Sequence, residues 1–292
     1  MEDQEFGGDW TEKKLNKIRK YLPAYMKILS KREDLVTGYI DAFAGTGYRY
    51  PPADCPDEPD LFEEFTAPDI ERYRDGSARI ALLTRPPFNK YIFIEKERTK
   101  CHSLEELKLE FPDLADRIQI VNQDANTYIR KMCSPGIDWS TRRAVMFLDP
   151  FGMQVNWDTV ELIALTKAID LWYLFPIGAV NRLLERKGRL PTGFTECLNR
   201  TLGSDAWLEL FYEHRTESDL FGTIENTVKK ASFSAIGKYV LERLSSVFAG
   251  VVPTPYMLKN SKNSPLFMLC FAVGNPRATG TAIKIARDVM KD

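Results

Sequence analysis

The chain has 292 residues, 44% of them hydrophobic and 28% charged, with 40 Lys and Arg against 41 Asp and Glu for a formal net charge of -1. These are ordinary globular proportions and argue against disorder. Near-neutral charge gives no global pull toward nucleic acid or membrane, so a nucleic-acid partner would need a local basic patch.

The five cysteines (Cys55, Cys101, Cys133, Cys197 and Cys270) are scattered without a CxxC pair, which favours free thiols in a reducing compartment over a disulfide framework or a zinc site. The acidic opening "MEDQEFGGDW" has no apolar core of the signal-peptide kind, and no apolar run reaches membrane-spanning length. The expectation is a cytoplasmic protein with no membrane partner.

In chain order, "TEKKLNKIRKYLPAYMKILSKRE" comes first, the main part of a helical segment expected over 10–33. It puts Leu15, Ile18, Leu22, Tyr25 and Leu29 on one face. Pro23 inside that pattern predicts a kink or break. Lys13, Lys14, Lys17, Arg19, Lys20 and Lys27 make the remainder basic, either as a solvated face or as a rim meeting an anionic substrate.

Strand-like runs then recur as "VTGYIDAF", "KYIFIE", "RIQIVNQD", "RAVMFLDP" and "AIDLWYLFPIG", with helical stretches between several of them. That alternation predicts βαβ units and a parallel sheet covered on both faces. "YMLKNSKNSPLFMLCFAVGN" reads as two strands around a polar turn, and "TGTAIKIARDVMKD" as a closing helix. Two stretches interrupt the rhythm within a single domain spanning 1–292. One is rich in Pro, Asp and Glu (48–75). The other is long and mostly helical in pattern (179–252). Insertions at the carboxyl edge of a sheet usually shape a pocket.

Ligands of open parallel sheets bind beyond the carboxyl ends of the strands, so the residues there carry the chemistry. Gly45 and Gly47 follow Asp41 and permit a tight bend and a close backbone approach, although a plain strand-to-helix turn would look the same. The third glycine of a dinucleotide fingerprint is missing, and Glu95 lies well past the roughly 20-residue spacing of its acid, which disfavours a nicotinamide site. Glu95 can accept hydrogen bonds from both hydroxyls of a ribose, with Glu97 as the second choice. Asp124 can receive an exocyclic amine, with Asn126 beside it, or can cap the helix that follows. In "FLDPFG", Pro150 fixes the backbone after Asp149 and removes one donor, leaving acceptors that suit a nucleophilic amine and Phe151 to stack a planar substrate; a structural turn is the other reading. Arg182, Arg186, Lys187 and Arg189 gather after the fifth strand as a phosphate-contacting patch or a solvated face. Neither His102 beside Cys101 nor His214 has the companions of a metal site.

Taken in order, "IDAFAGTG", "GSARIALL", "FIEKE", "NQDAN", "FLDPFG" and "AVGNP" resemble the three-Cys-motif partner proteins, S-adenosylmethionine-dependent methyltransferases of class I found beside a radical-type iron–sulfur protein. The resemblance implies a Rossmann-like α/β fold: a mostly parallel seven-stranded sheet with one antiparallel strand, helices on both faces and a helical insertion. It implies S-adenosylmethionine held by Asp41, Phe43, Gly45, Gly47, Ser77, Glu95, Asp124 and Asn126. Asp149, Pro150 and Phe151 would meet the reactive amine, and no metal is required. "DPFG" is similar to the corresponding stretch of transfer-RNA guanine-N2 methyltransferases, which points to RNA or DNA as partner. The competing expectation is a non-catalytic S-adenosylmethionine-binding partner of the three-cysteine iron–sulfur protein.

Overall fold

The computed structural model describes residues 9–45, 76–184, 190–219, 222–260 and 262–291. Gly47, the 48–75 stretch, Arg186, Lys187 and Arg189 lie outside the described residues.

Helix α1 (Asp9–Leu29) opens the chain and leads to β1 (Val36–Asp41). Then come α2 (Ser77–Leu83), β2 (Lys90–Glu95), α3 (Arg98–Glu110), β3 (Ile118–Asn122), α4 (Ala125–Met132), β4 (Arg142–Leu148), α5 (Trp157–Leu165) and β5 (Ile169–Phe175). These five strands are all parallel, in the order β3-β2-β1-β4-β5. Beyond β5 the chain forms α6 (Ile177–Leu183), α7 (Thr192–Leu202), α8 (Trp207–Phe211) and an antiparallel hairpin of β6 (Tyr212–Asp219) and β7 (Gly222–Lys229). Helix α9 (Phe233–Val247), β8 (Gly250–Val251), β9 (Tyr256–Lys259), β10 (Pro265–Val273) and α10 (Thr279–Met290) complete it.

Strand β10 lies antiparallel to β5, and both β8 and β9 lie antiparallel to β10. The main sheet therefore has eight strands in seven places, the outermost place being one edge strand broken in two. The 179–252 stretch is not wholly helical. Its hairpin is polar and weakly alternating, so periodicity gave no strand signal there.

Alternation along the strands divides the core into two faces. Tyr39, Val145, Phe147, Trp172 and Leu174 point toward α1, α2 and α10. Ile40, Met146, Leu148, Leu171 and Tyr173 point toward α4, α5, α6 and α9. Helix α1 is seated by aromatic contacts: the Tyr21 ring lies 5.2 Å from Trp172 and 5.0 Å from Phe271, each such pair contributing about 0.5–1.5 kcal/mol beyond area burial. The Tyr21 hydroxyl donates to Asp170 Oδ2 at 3.2 Å, and the Gly274 amide donates to Asp170 Oδ1 at 3.2 Å. One buried carboxyl thus joins helix, strand and the turn after β10. This packing also corrects the expected break at Pro23. The helix runs through it, because Tyr21, Leu22, Tyr25 and Met26 are all buried around an exposed proline.

Cys101, Cys133 and Cys270 carry buried free thiols, whereas Cys197 is held in a disulfide that the scattered spacing did not foretell. Among the described residues, no helix is long and apolar enough to cross a membrane.

Candidate active site

Strands β1 and β4 are neighbours, yet β1 continues toward β2 and β4 toward β5. The sheet's topological switch point lies between them. In the parallel register Asp41 sits opposite Phe147, so Asp41 and Asp149 leave the sheet side by side on the face that α1 covers. Lys14 comes from that helix and sets its ammonium 2.5 Å from Asp149 Oδ2. All three groups are buried: Lys14 is 1% exposed, Asp149 4% and Asp41 0%.

Hydrogen bonding leaves two acceptors over. Asp149 Oδ1 and Asp41 Oδ2 are buried with no hydrogen-bond partner among the described residues. Asp41 Oδ1 accepts a long contact from the Phe43 amide, 3.4 Å, and the Ser77 hydroxyl lies close to the same carboxyl. Buried polar atoms are nearly always satisfied, so two orphan acceptors on adjacent strand ends single this place out as a candidate ligand site. Burial pushes the Asp41 carboxyl up to about 7, helped by the Asp149 charge and opposed by the nearby Ser77 hydroxyl, the Phe43 amide and Lys14. Burial also lowers the Lys14 ammonium, with Asp149 and Asp41 pulling it back up.

A cavity of about 420 Å³ opens above these groups. Its lining includes Lys14, Phe43, Gly45, Ser77, Lys100 and Asp149. It brings together the turn after β1, the start of α2 and the fourth strand end, as the sequence suggested. Gly45 has a specific reason to be glycine: a Cβ there would collide with the carboxylate of Glu95. Gly76 is pressed equally close by Leu15 of α1, so the first helix closes directly onto the entry to α2. Glu95 ends β2 at 9% exposure, accepts from the Glu97 amide at 2.7 Å, and is raised in pKa chiefly by burial. Glu97 itself pairs with Lys100 at 2.6 Å.

The other expected residues stand apart from the cavity. Asp124 caps α4, accepting from the Thr127 amide at 3.0 Å and the Thr127 hydroxyl at 3.1 Å. Asn126 donates to the Gln154 carbonyl at 2.8 Å and accepts from the Asn156 amide and the Thr159 hydroxyl, each at 3.0 Å. Its amide therefore holds the loop that follows Asp149-Pro150-Phe151. Phe151 is half-buried, with its amide on Gln154 Oε1 at 3.2 Å. Arg182 lies half-buried in the last turn of α6.

Two buried lysines escaped the sequence reading, which gave the lysines of α1 to a solvated basic face or an anionic-substrate rim. Lys14 and Lys17 are buried at 1% and 2%, and the Lys17 ammonium lies 4.3 Å from the centroid of the Tyr256 ring. Lys13, Arg19, Lys20 and Lys27 are exposed as expected. The missed signal was the position of Lys14, one turn before Ile18 on the same stripe.

No family model matches this chain, and no curated protein matches it. The three-Cys-motif resemblance rests on its motifs alone. Among solved structures, the chain is similar to a Legionella pneumophila protein of the DUF519 family, with 12% identity and a TM-score of 0.51 over 98% of this chain and 91% of that one. Looser likenesses include spermidine synthase bound to a transition-state analogue, with 11% identity, a TM-score of 0.38, and 92% and 60% of the two chains covered. Another is the glycopeptide N-methyltransferase MtfA with S-adenosylhomocysteine, with 11% identity, a TM-score of 0.32, and 94% and 93% covered. The fold is a Rossmann-like α/β fold, a mostly parallel sheet with helices on both faces.

Proposed function

We propose that this chain is an S-adenosylmethionine-dependent methyltransferase acting on an amine of a nucleic acid or nucleotide. The observation that carries the reading is Asp149, which ends the fourth strand, lines the cavity formed with the turn after β1, and keeps one buried oxygen, Oδ1, without a hydrogen-bond partner among the described residues.

The residues fit the cofactor. Asp41 offers a second orphan acceptor, and Gly45 keeps the backbone close to Glu95, whose carboxylate suits a pair of ribose hydroxyls. S-adenosylmethionine supplies a methyl group already activated on a sulfonium, so the chain's task is placement. Asp149 accepts an N–H of the substrate amine and turns its lone pair toward the methyl. Well-oriented reactions of this kind gain roughly 7–11 kcal/mol from placement alone.

The test is transfer of a labelled methyl group from S-adenosylmethionine to pooled RNA, DNA and nucleotides, with Asp149→Ala as control. The reading requires label in an acceptor with the native protein and none with the variant. Equal labelling by both would remove Asp149 from the chemistry.

A further inference from the structure

The contact between Lys14 and Asp149 limits the kind of amine that can be held. Resting on the methyltransferase reading above, we infer that Lys14 selects an uncharged, weakly basic amine, such as one attached to a nucleobase ring, and rejects an aliphatic ammonium group.

Asp149 has two acceptor oxygens, and Lys14 holds Oδ2 at 2.5 Å. The free oxygen, Oδ1, is buried and can still accept one N–H. The charge of the carboxylate, however, is already balanced at contact distance. An alkylammonium would add a second positive charge beside Lys14, in a site where water does not screen the repulsion. Among the described residues, Lys100 is paired with Glu97 and Arg79 with Glu110, and the remaining carboxylates at the cavity, Glu95 and the exposed Glu106, come from β2 and α3 and not from the Lys14–Asp149 contact.

The chemistry runs the same way. The amine's lone pair forms the new N–C bond while the S–C bond breaks and its electron pair returns to sulfur. An aromatic amine enters neutral and releases its extra proton to water afterwards. An aliphatic amine must lose a proton first, and a carboxylate tied to an ammonium is a poor acceptor for it. Lys14 is thus a positioning and specificity residue that acts through Asp149.

The experiment needs no identified substrate. S-adenosylhomocysteine lacks the methyl group, and sinefungin carries a primary amine in its place, cationic at neutral pH. Both are titrated calorimetrically into the native protein, Lys14→Met, Lys14→Gln and Lys14→Arg, each checked for folding by melting. The native protein and Lys14→Arg should bind sinefungin no more tightly than S-adenosylhomocysteine. Either neutral variant should favour sinefungin by roughly tenfold or more, because Asp149 then faces the ligand's amine alone. An unchanged ratio in the folded neutral variant overturns the inference, as does a native preference for sinefungin of that size. If neither ligand binds the native protein, the cofactor reading fails and the inference goes with it. Binding with an unchanged ratio removes the inference alone.

Discussion

The Lys14 ammonium and Asp149 Oδ2 lie 2.5 Å apart across 135 residues of chain, and the pair is almost wholly shielded from solvent. It locks the first helix over the switch point of the sheet. A buried ion pair adds little net stability over a well-packed apolar pair, but removing one partner strands the other. Lys14→Met should therefore destabilise the fold by about 3–5 kcal/mol, and Lys14→Met with Asp149→Leu by clearly less. Urea unfolding of the two single variants and the double variant measures this coupling directly.

Two buried carboxyls set a pH dependence of stability. Asp41 and Asp170 are both raised from 3.8 to about 7 by burial. The folded state holds their protons where the unfolded state has released them, so stability should fall as pH rises from about 4 to about 7 and level off above. Each group contributes at most about 1.4 kcal/mol per pH unit. Asp41→Asn should flatten the slope in melts taken across that window, and an unchanged slope would assign it elsewhere.

Glycine at position 45 separates binding from folding. The Cβ of Gly45→Ala meets the far end of the Glu95 side chain, which can swing aside. Stability should change by less than about 1 kcal/mol, while affinity for S-adenosylhomocysteine falls roughly tenfold or more as the ribose acceptor is displaced. Melting and titration on one preparation test both parts.

Asn126 and Asp124 should behave differently although two residues apart. Asn126→Ala removes bonds to Gln154, Asn156 and Thr159 and should cost about 1–3 kcal/mol, since it leaves partly buried groups unpaired. Asp124→Ala loses a helix cap worth about 0.5–2 kcal/mol. Only Asn126→Ala should raise amide exchange in the loop after Asp149, because only Asn126 reaches it.

Much of this architecture was legible because apolar strands ending in acids have a strong local signature. Asp41, Glu95 and Asp149 stand at or just past strand ends, Ser77 opens α2, and the closing strands and helix lie where the pattern put them. The hairpin at 212–229 was not legible, since its alternation is weak and its residues polar. Nor was the burial of Lys14 and Lys17. Periodicity identifies which face of α1 is covered, but a lysine on that face is tolerated only when a carboxylate or an aromatic ring arrives from distant sequence. Local pattern does not register Asp149 or Tyr256 as those partners.

The central claim is the cofactor site, and calorimetric titration with S-adenosylmethionine tests it most directly, using the native protein, Glu95→Ala and Asp149→Ala. The account requires micromolar binding by the native protein, roughly tenfold or greater weakening by Glu95→Ala, and near-native binding by Asp149→Ala, whose role is toward the amine. A folded native protein that gives no heat with S-adenosylmethionine, or that binds NAD instead, would contradict it.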